Sequence, residues 1–587
     1  MVDPPAEGTG VLAPPNPAPP AEPTDDLTVP AGLTDAQREA VTAPDPVLCV
    51  LAGAGAGKTR VLTLRVARRV HDGSADGDHV LVCTFSRKAA DELRRRLWVL
   101  HVGGEVRAGT FHRTALHLIR QHRSDRGLPP PVLLGDRRMT LQTVLGLAEA
   151  AGGRDAGRAR PPLPRLPASR SPALSQLEGE IGWAKARLVG PQDYEEAARA
   201  ARRRPAMGAA RAAELYARYE EAKRRQGVLD LDDLLWACAD LLEEDARFAA
   251  AVRWRFRHLF VDEMQDVNPA QFRLLTALVG EEPDLFVVGD PHQSVYGWNG
   301  ADPTLLDRIG EHFSGTRVVR LGENHRCSPQ VVTVAAAALG LQAGAAPTSS
   351  RPDGAVPRVQ AHATDRDEAA WVARQAWLAH RPGRRWSQIA VLARTNAQLG
   401  PVAEALAAAR IPHRLAGGDL GPASDLRADA GGEGPEPDDG VDPTVAAGEG
   451  GAHGADTGPY DDAVVLTTFH RAKGLQWPAV FVVGVSDGLV PIASARTKAQ
   501  REEERRLLYV ALTRAEDELT CSWAAHRDAA AAAAGIAPRR PSPWLEEVGR
   551  ASTSLAARAA PPDPQAVSAR LAEVRARLVD GPRAPVD

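Results

Sequence analysis

The sequence predicts an α/β protein built on parallel sheets, and three observations carry that prediction. Short apolar runs alternate with helical patterns from Leu33 onward, one such run passes through a Gly-rich turn straight into a helix, and a second series of the same kind begins near Val318. In order, VLCVLA (47–52), TRVLTLRVARRV (59–70), HVLVCTF (79–85) and RKAADELRRRLWVL (87–100) read as strand, helix, strand, helix. Residues 119–225 differ: Arg-rich helical stretches interrupted by the Pro-rich ARPPLPRLPASRSP (159–172) read as an inserted helical subdomain. The α/β pattern returns with LDLDDLLW, RHLFVDE and DLFVVGD, and the second series runs through VVRLGENHR, IAVLART, AVVLTTFH and AVFVVGV.

Around these units lie segments that cannot bury a core. Residues 1–28 are Pro/Ala-rich and read as a disordered tail; 421–460 hold nine Asp/Glu against one Arg and read as an acidic linker; 526–587 read as an Ala/Pro/Arg-rich tail. The expected units are therefore 29–118 with 226–315, the insertion 119–225, and 316–420 with 461–525. The length, 587 residues, suits three or four domains.

Lys+Arg 71 against Asp+Glu 75 excludes a uniformly basic binder, so any nucleic-acid contact must come from a local patch. Only six of the 71 are lysine, and three of those (Lys58, Lys88, Lys473) fall inside the motifs described next. Five scattered cysteines with no CxxC pair give neither a zinc module nor a disulfide framework and fit a reduced compartment. No export signal and no membrane span is legible, so the expected location is cytoplasmic.

AGAGAGKT (Ala52, Gly53, Ala54, Gly55, Ala56, Gly57, Lys58, Thr59), followed by Arg60, sits between a strand and a helix, as a phosphate-binding loop must. Its glycines let backbone N–H groups turn toward phosphates, Lys58 reaches the β/γ oxygens, and the Thr59 hydroxyl is a Mg²⁺ ligand. The first position is Ala52 where the pattern has glycine. HLFVDE ends a strand in Asp262, a second Mg²⁺ ligand, and Glu263, which can polarise an attacking water.

VDEMQDVNPAQFRLL (261–275) and VVGDPHQSVYGWNGAD (287–302) resemble motifs II and III of the superfamily 1 UvrD/Rep/PcrA DNA helicases. Further resemblances follow in order: LTDAQREAV (33–41), TFSRKAADELRRR (84–96), GTFHRTAL (109–116), LGENHRCSPQVV (321–332), AVVLTTFHRAKGLQWPAVFVVG (463–484) and EEERRLLYVALTRAEDEL (502–519). The resemblance implies two tandem RecA-like P-loop NTPase domains with the helical insertion called 1B, ATP and Mg²⁺ as cofactors, and single-stranded and 3′-tailed duplex DNA as partners. It implies 3′→5′ movement, a role in repair or replication, and a monomer.

It also assigns residues. Gln37 would read adenine, Gln293 would sense the γ-phosphate, and Arg326 and Arg514 would be arginine fingers. His325, where the family has tyrosine, and Gln476, where it has glutamate, would contact base and ribose. Phe85, Tyr296 and Trp298 would stack on bases, while Thr84, Lys88, Thr110, His112, Thr468 and His470 would contact DNA phosphates. Asn299 replaces the family's arginine after the tryptophan. The family's 2B domain, expected before the motif at 463, has only the acidic linker in its interval, so 2B is predicted to be missing or vestigial. That favours, as an alternative, a translocase that strips proteins from single strands with little unwinding. A non-catalytic scaffold on a dead P-loop would be the remaining alternative, opposed by the intact Lys58, Asp262 and Glu263.

Overall fold

Two six-stranded sheets, each with every strand pair parallel, organise the chain in a computed structural model that describes residues 32–152, 172–341, 346–416, 462–558, 568–573 and 575. The expected tail at 1–28 and the acidic linker at 421–460, with the question of 2B, lie outside the described residues.

The first sheet contains β1 (Val47–Ala52), β2 (Val80–Thr84), β3 (Arg107–Thr110), β4 (His258–Val261), β5 (Leu285–Gly289) and β6 (Arg317–Leu321), in the order β3-β2-β4-β5-β1-β6. Its central strands are apolar on both faces, as a parallel sheet covered on both sides requires. Val47 and Cys49 of β1, Leu259 and Val261 of β4, and Leu285 and Val287 of β5 enter one core. The alternate residues Leu48, Val50, Phe260, Phe286 and Val288 enter the other. Helices α1 (Asp35–Thr42), α2 (Lys58–His71) and α3 (Arg87–Val99) cover the second face. Helices α4 (Phe111–Asp125), α9 (Leu231–Glu244), α10 (Ala246–Arg255) and α11 (Pro269–Val279) cover the first.

Between α4 and α9 lie α5 (Arg137–Gly152), α6 (Pro172–Ala186), α7 (Tyr194–Ala200) and α8 (Ala209–Gln226), which share their own core around Leu177, Trp183, Tyr194, Tyr216 and Tyr219. Where this insertion meets the first half, Lys185 and Lys223 converge on Asp230 at 2.9 and 3.0 Å, Tyr219 donates to the same carboxylate at 2.8 Å, and both lysines also pair with Asp233. Asp230 is itself the N-cap of α9. Three cations, Arg137 included, thus pair with the four carboxylates of Asp230, Asp232, Asp233 and Glu220 around the buried Asp230.

The second sheet contains β7 (Arg358–Thr364), β8 (Ile389–Ala393), β9 (His413–Leu415), β10 (Val464–Thr468), β11 (Trp477–Val483) and β12 (Ala515–His526), in the order β7-β12-β11-β8-β10-β9. Ala390 and Leu392 of β8 face a core with α12 (Pro329–Leu339), α15 (Lys498–Leu512) and α16 (Pro543–Arg558). Ile389, Val391 and Ala393 face one with α13 (Asp365–Ala379) and α14 (Asn396–Ala408).

Three boundaries differ from the sequence reading. β6 pairs with β1 from Leu48↔Arg317 to Ala52↔Leu321, so the first half runs through Leu321 and not to 315. Leu116, Leu118 and Ile119 of α4 belong to the first half's core, so the insertion starts after α4 rather than at 119. The segment after 525 is not all tail: β12 continues to His526, and α16 buries Trp544, Leu545 and Val548 against the second half. A short Trp-Leu-x-x-Val stripe is enough to dock one face of a helix even in Ala/Arg-rich surroundings.

Candidate nucleotide and DNA site

The motifs of the first half from Ala52 onward sit at the carboxyl ends of strands, the edge where parallel α/β sheets place ligands. β1 ends in Ala52, β4 is followed by Asp262 and Glu263, and β5 by Asp290. The loop after β1 turns through Gly55 (φ 71°) and Gly57 (φ 83°), both in the left-handed region. A Cβ on Gly55 would lie 2.6 Å from Asn324 Oδ1, so only glycine fits. Gly57 caps α2 without any side-chain hydrogen bond, whereas α1, α3, α4 and α11 are capped by Thr34, Ser86, Thr110 and Asn268. The first-turn N–H groups of α2 are thereby left to face an anion, reinforced by the positive end of the helix dipole.

Lys58 Nζ donates to the carbonyls of Ala52 (3.3 Å) and Gly53 (3.5 Å) and stands 3.9 Å from Asp290 Oδ2. The Thr59 hydroxyl donates to Asp262 Oδ2 at 3.2 Å, bringing the two expected Mg²⁺ ligands together. Burial, then the charge of Glu263, pushes the Asp262 carboxyl up to about 7. Burial acts on Glu263 as well, but Lys58, Lys473 and a hydrogen bond from Gln265 outweigh it and hold this carboxyl below its ordinary value. Glu263 itself sits at φ 53°, in the left-handed region that a non-glycine residue adopts at a cost of about 1–2 kcal/mol.

Gln265, which sequence reasoning passed over, organises the floor: its Nε2 donates to Glu263 and its Oε1 accepts the Asp290 N–H at 2.8 Å. Asp290 Oδ2 in turn accepts Gln293 Nε2 at 2.6 Å. The Gln-Asp and Gly-Asp pairs that surround these residues were a signal, but nothing in the spacing alone says that they meet.

The second half closes on this edge. Ala54 of the loop and Val295 lie in the second half's core. Asn324, also unassigned from sequence, ties the two: its Nδ2 donates to Ala54 O at 2.7 Å, and its Oδ1 accepts the N–H groups of Arg326 and Cys327, each at 2.8 Å. The His325 N–H reaches Gly55 O at 2.9 Å. Arg514 is 1% exposed, its fork donating to Val510 O, Leu475 O and Thr513 Oγ1. Burial and then Arg326 pull its guanidinium down to about 9, still protonated at neutral pH, and Glu263 is among the charges it feels. Arg326 thus lies against the nucleotide loop, where a Cβ on Gly55 would come 2.8 Å from the arginine's own Cβ, and Arg514 is within electrostatic reach of Arg326 and Glu263.

Gln37 is buried, and its amide is already engaged: Oε1 closes the α1 capping box with the Thr34 N–H, and Nε2 donates to Ala56 O at 3.0 Å beside His325 Nε2 at 3.2 Å. As arranged, it braces the loop rather than presenting a two-pronged amide edge. Arg60 and Gln476 are exposed.

Beside the nucleotide edge, four rings meet. Phe85 stacks on Tyr296 (centroids 5.2 Å, 17° between planes), and His470 lies 6.5 Å from Tyr296 and 6.3 Å from Trp298. Trp298 is 54% exposed, which leaves its face for a base. Burial, then Arg394 and Lys473, lowers His470 to about 4, so it is a neutral ring and not a cation at neutral pH. Lys473 joins the two regions: it pairs with Asp266, donates to Gln293 O at 2.8 Å and lies 5.2 Å over the Tyr296 ring.

Three of the residues expected to contact phosphates are buried. Thr84 is fully buried, with its hydroxyl enclosed at the end of β2. The Thr110 oxygen is used as the α4 N-cap, accepting the Arg113 N–H at 3.3 Å. His112 is 4% exposed and feels Asp232 and Asp230 at the junction with the insertion, with burial lowering its pKa. Thr468 is largely buried at the end of β10, while Lys88 is exposed on α3.

The family model described as the UvrD/REP helicase N-terminal domain matches residues 33–314, and that of the UvrD-like helicase C-terminal domain matches 319–419 and 453–526. "ATP-dependent DNA helicase UvrD2" of Mycobacterium tuberculosis (strain ATCC 25618 / H37Rv) is 36% identical over 591 residues, 88% of this chain and 82% of the relative. "DNA helicase II" of Escherichia coli (strain K12) is 26% identical over 633 residues, 84% of this chain and 85% of the relative. Two tandem P-loop halves, the ordered motifs between them and these relatives place the chain in the UvrD/REP family of ATP-dependent DNA helicases.

Proposed function

We propose that the chain moves 3′→5′ along single-stranded DNA as a monomer in the cytoplasm, using ATP hydrolysed between its halves, in repair or replication. The observation that carries the reading is Lys473, one side chain that touches the acid-lined nucleotide edge through Asp266 and Gln293 and the base-stacking rings through Tyr296.

In this reading the N–H groups of the Gly-rich loop and Lys58 hold the phosphates. Glu263, kept ionised, orients the attacking water and takes its proton. Arg326 and Arg514 stabilise charge spreading over the transferred phosphoryl group from the other half. The donor set fits Mg²⁺: a hydroxyl and a carboxylate oxygen lie 3.2 Å apart, and the buried Asp262 has unmet demand for a cation. Bound there, the ion would supply Lewis-acid stabilisation of phosphate oxygens, with Thr59 and Asp262 as its protein ligands. Phe85, Tyr296 and Trp298 would grip bases irrespective of sequence, each stacked base contributing about 1–3 kcal/mol, with the His470 ring beside them.

A second reading, translocation that displaces bound proteins with little strand separation, is favoured by one observation. The alignment with DNA helicase II runs to 633 positions against a chain of 587, so that relative carries segments with no counterpart here, and the second family model is interrupted from 420 to 452. Lys58→Ala tests the motor: ATP turnover stimulated by single-stranded DNA should fall by orders of magnitude, and its retention would sink the assignment. Strand separation on 3′-tailed and 5′-tailed duplexes, beside displacement of a protein block, decides polarity and the second reading.

A further inference from the structure

We infer that Glu503 is a positioning residue through which docking of the second half sets the base-stacking turn that carries Trp298. The inference rests on the DNA-motor reading above.

The turn is one short 3-10 segment, Gly297–Asn299, with no side-chain cap at its start, so its N–H groups need acceptors from elsewhere. Glu503, on α15 of the other half, supplies them: its Oε1 accepts the Gly297 N–H at 2.9 Å, and the Trp298 N–H bonds to the same carboxylate. One turn along α15, Arg506 Nε donates to Ser294 O at 2.8 Å. The neighbouring acids do other work. Glu504 is bound by Arg394 within its own half, and Glu502 pairs with Lys498 at the surface.

On its opposite flank the turn is braced by the insertion. Gly300, at φ 95°, abuts the end of α6 so closely that a Cβ there would lie 2.6 Å from Ala186 Cβ. Arg187 faces Asp302 at 3.4 Å, and the Lys185 carbonyl accepts Trp236 Nε1 at 2.9 Å from α9. The insertion and the first half are pinned together by the Lys185–Asp230 junction, so this brace does not depend on the cleft. Glu503 and Arg506 do: they leave if α15 swings away. The Trp298 ring, half-exposed, has no deep packing to hold its backbone in their absence. Closing the cleft then completes the turn, and opening it releases two N–H groups and the indole with them.

The experiment measures the affinity of the full-length protein for a fluorescein-labelled oligo-dT by anisotropy, with and without a non-hydrolysable ATP analogue. In the parent the analogue should change the dissociation constant by at least about fivefold, a usual scale for coupling between two sites. Glu503→Ala should bring that ratio close to one, while Glu503→Gln, which keeps an acceptor oxygen, should retain most of it. If the alanine variant fails to fold, Glu503→Asp, which keeps the charge and shortens the reach, carries the same expected loss. The parent's ratio persisting in Glu503→Ala or Glu503→Asp overturns the inference, as does a glutamine variant that behaves like alanine. A parent whose ATP turnover responds to oligo-dT but whose affinity ignores the analogue overturns this inference alone. A parent with no response to oligo-dT instead overturns the motor reading.

Discussion

Asn324→Ala isolates one buried side chain that joins the Gly-rich loop to Arg326, the proposed arginine finger. It removes the donor to Ala54 O and the acceptor shared by the Arg326 and Cys327 N–H groups, leaving three backbone groups without their partner. Asn324 is 2% exposed, so solvent does not readily replace the amide. At roughly 1 kcal/mol for each unsatisfied group, the low end for buried polar atoms, the local structure loses about 3 kcal/mol. The chain relieves that cost by shifting the 324–327 backbone, and a shift near 1 Å at a catalytic group costs on the order of 100-fold in rate. Steady-state ATP hydrolysis at saturating oligo-dT should show the loss in kcat, with a smaller change in KM for ATP, because Lys58 and the loop glycines, the proposed phosphate ligands, are left in place. Asn324→Asp keeps the acceptor for Arg326 and Cys327 but turns an oxygen toward Ala54 O, and should fall between the two. An alanine variant with kcat within about threefold of the parent would falsify the claim that this amide sets the finger.

Two further perturbations probe the scaffold. Leu545→Ala, in α16 packed on the second sheet, should destabilise that half by about 2–5 kcal/mol and lower its urea midpoint, whereas a true tail residue would leave the midpoint unchanged. Asp284 receives Arg69 at 2.7 Å and His258 at 2.6 Å; although burial opposes it, these partners depress its carboxyl from 3.8 to about 2. Since the folded value lies below the unfolded one, the stabilisation, roughly 2 kcal/mol, is present above about pH 4 and lost as pH falls toward 2. The stability gap between the parent and Asp284→Asn should therefore shrink across that window, and a gap of constant size would refute the linkage.

The parts of the site legible in the sequence are those whose chemistry is local. Gly55, Gly57, Lys58 and Thr59 are neighbours in the chain, and a strand ending in Asp262-Glu263 announces itself. What was not legible depends on who the neighbours are. VVRLGENHR runs without a break from β6 into the Asn324 turn, so the strand looked like the start of the second half, yet its partner is β1, some 270 residues earlier. Hydroxyls at strand ends, such as Thr84 and Thr110, look alike in sequence whether they face solvent or a helix start. Gln265, Asn324 and Glu503 act through contacts to backbone atoms elsewhere in the fold, which no local pattern encodes. The insertion's junction is similar: Asp230 and Lys223 are separated by seven residues, but Lys185 arrives from another helix.

The scarcity of lysine has a practical consequence once each one is placed. Lys58, Lys185 and Lys223 are buried, and Lys473 is held between Asp266 and the Gln293 carbonyl. Among the lysine side chains, an amine-directed reagent thus meets Lys88, on the helix after β2, and Lys498, whose side chain is 92% exposed at the start of α15. The two lie on opposite halves of the cleft. A chain with 65 arginines is in effect supplied with a matched pair of attachment points, one on each moving part, through which dyes or a cross-linker could follow opening and closing without a single engineered cysteine.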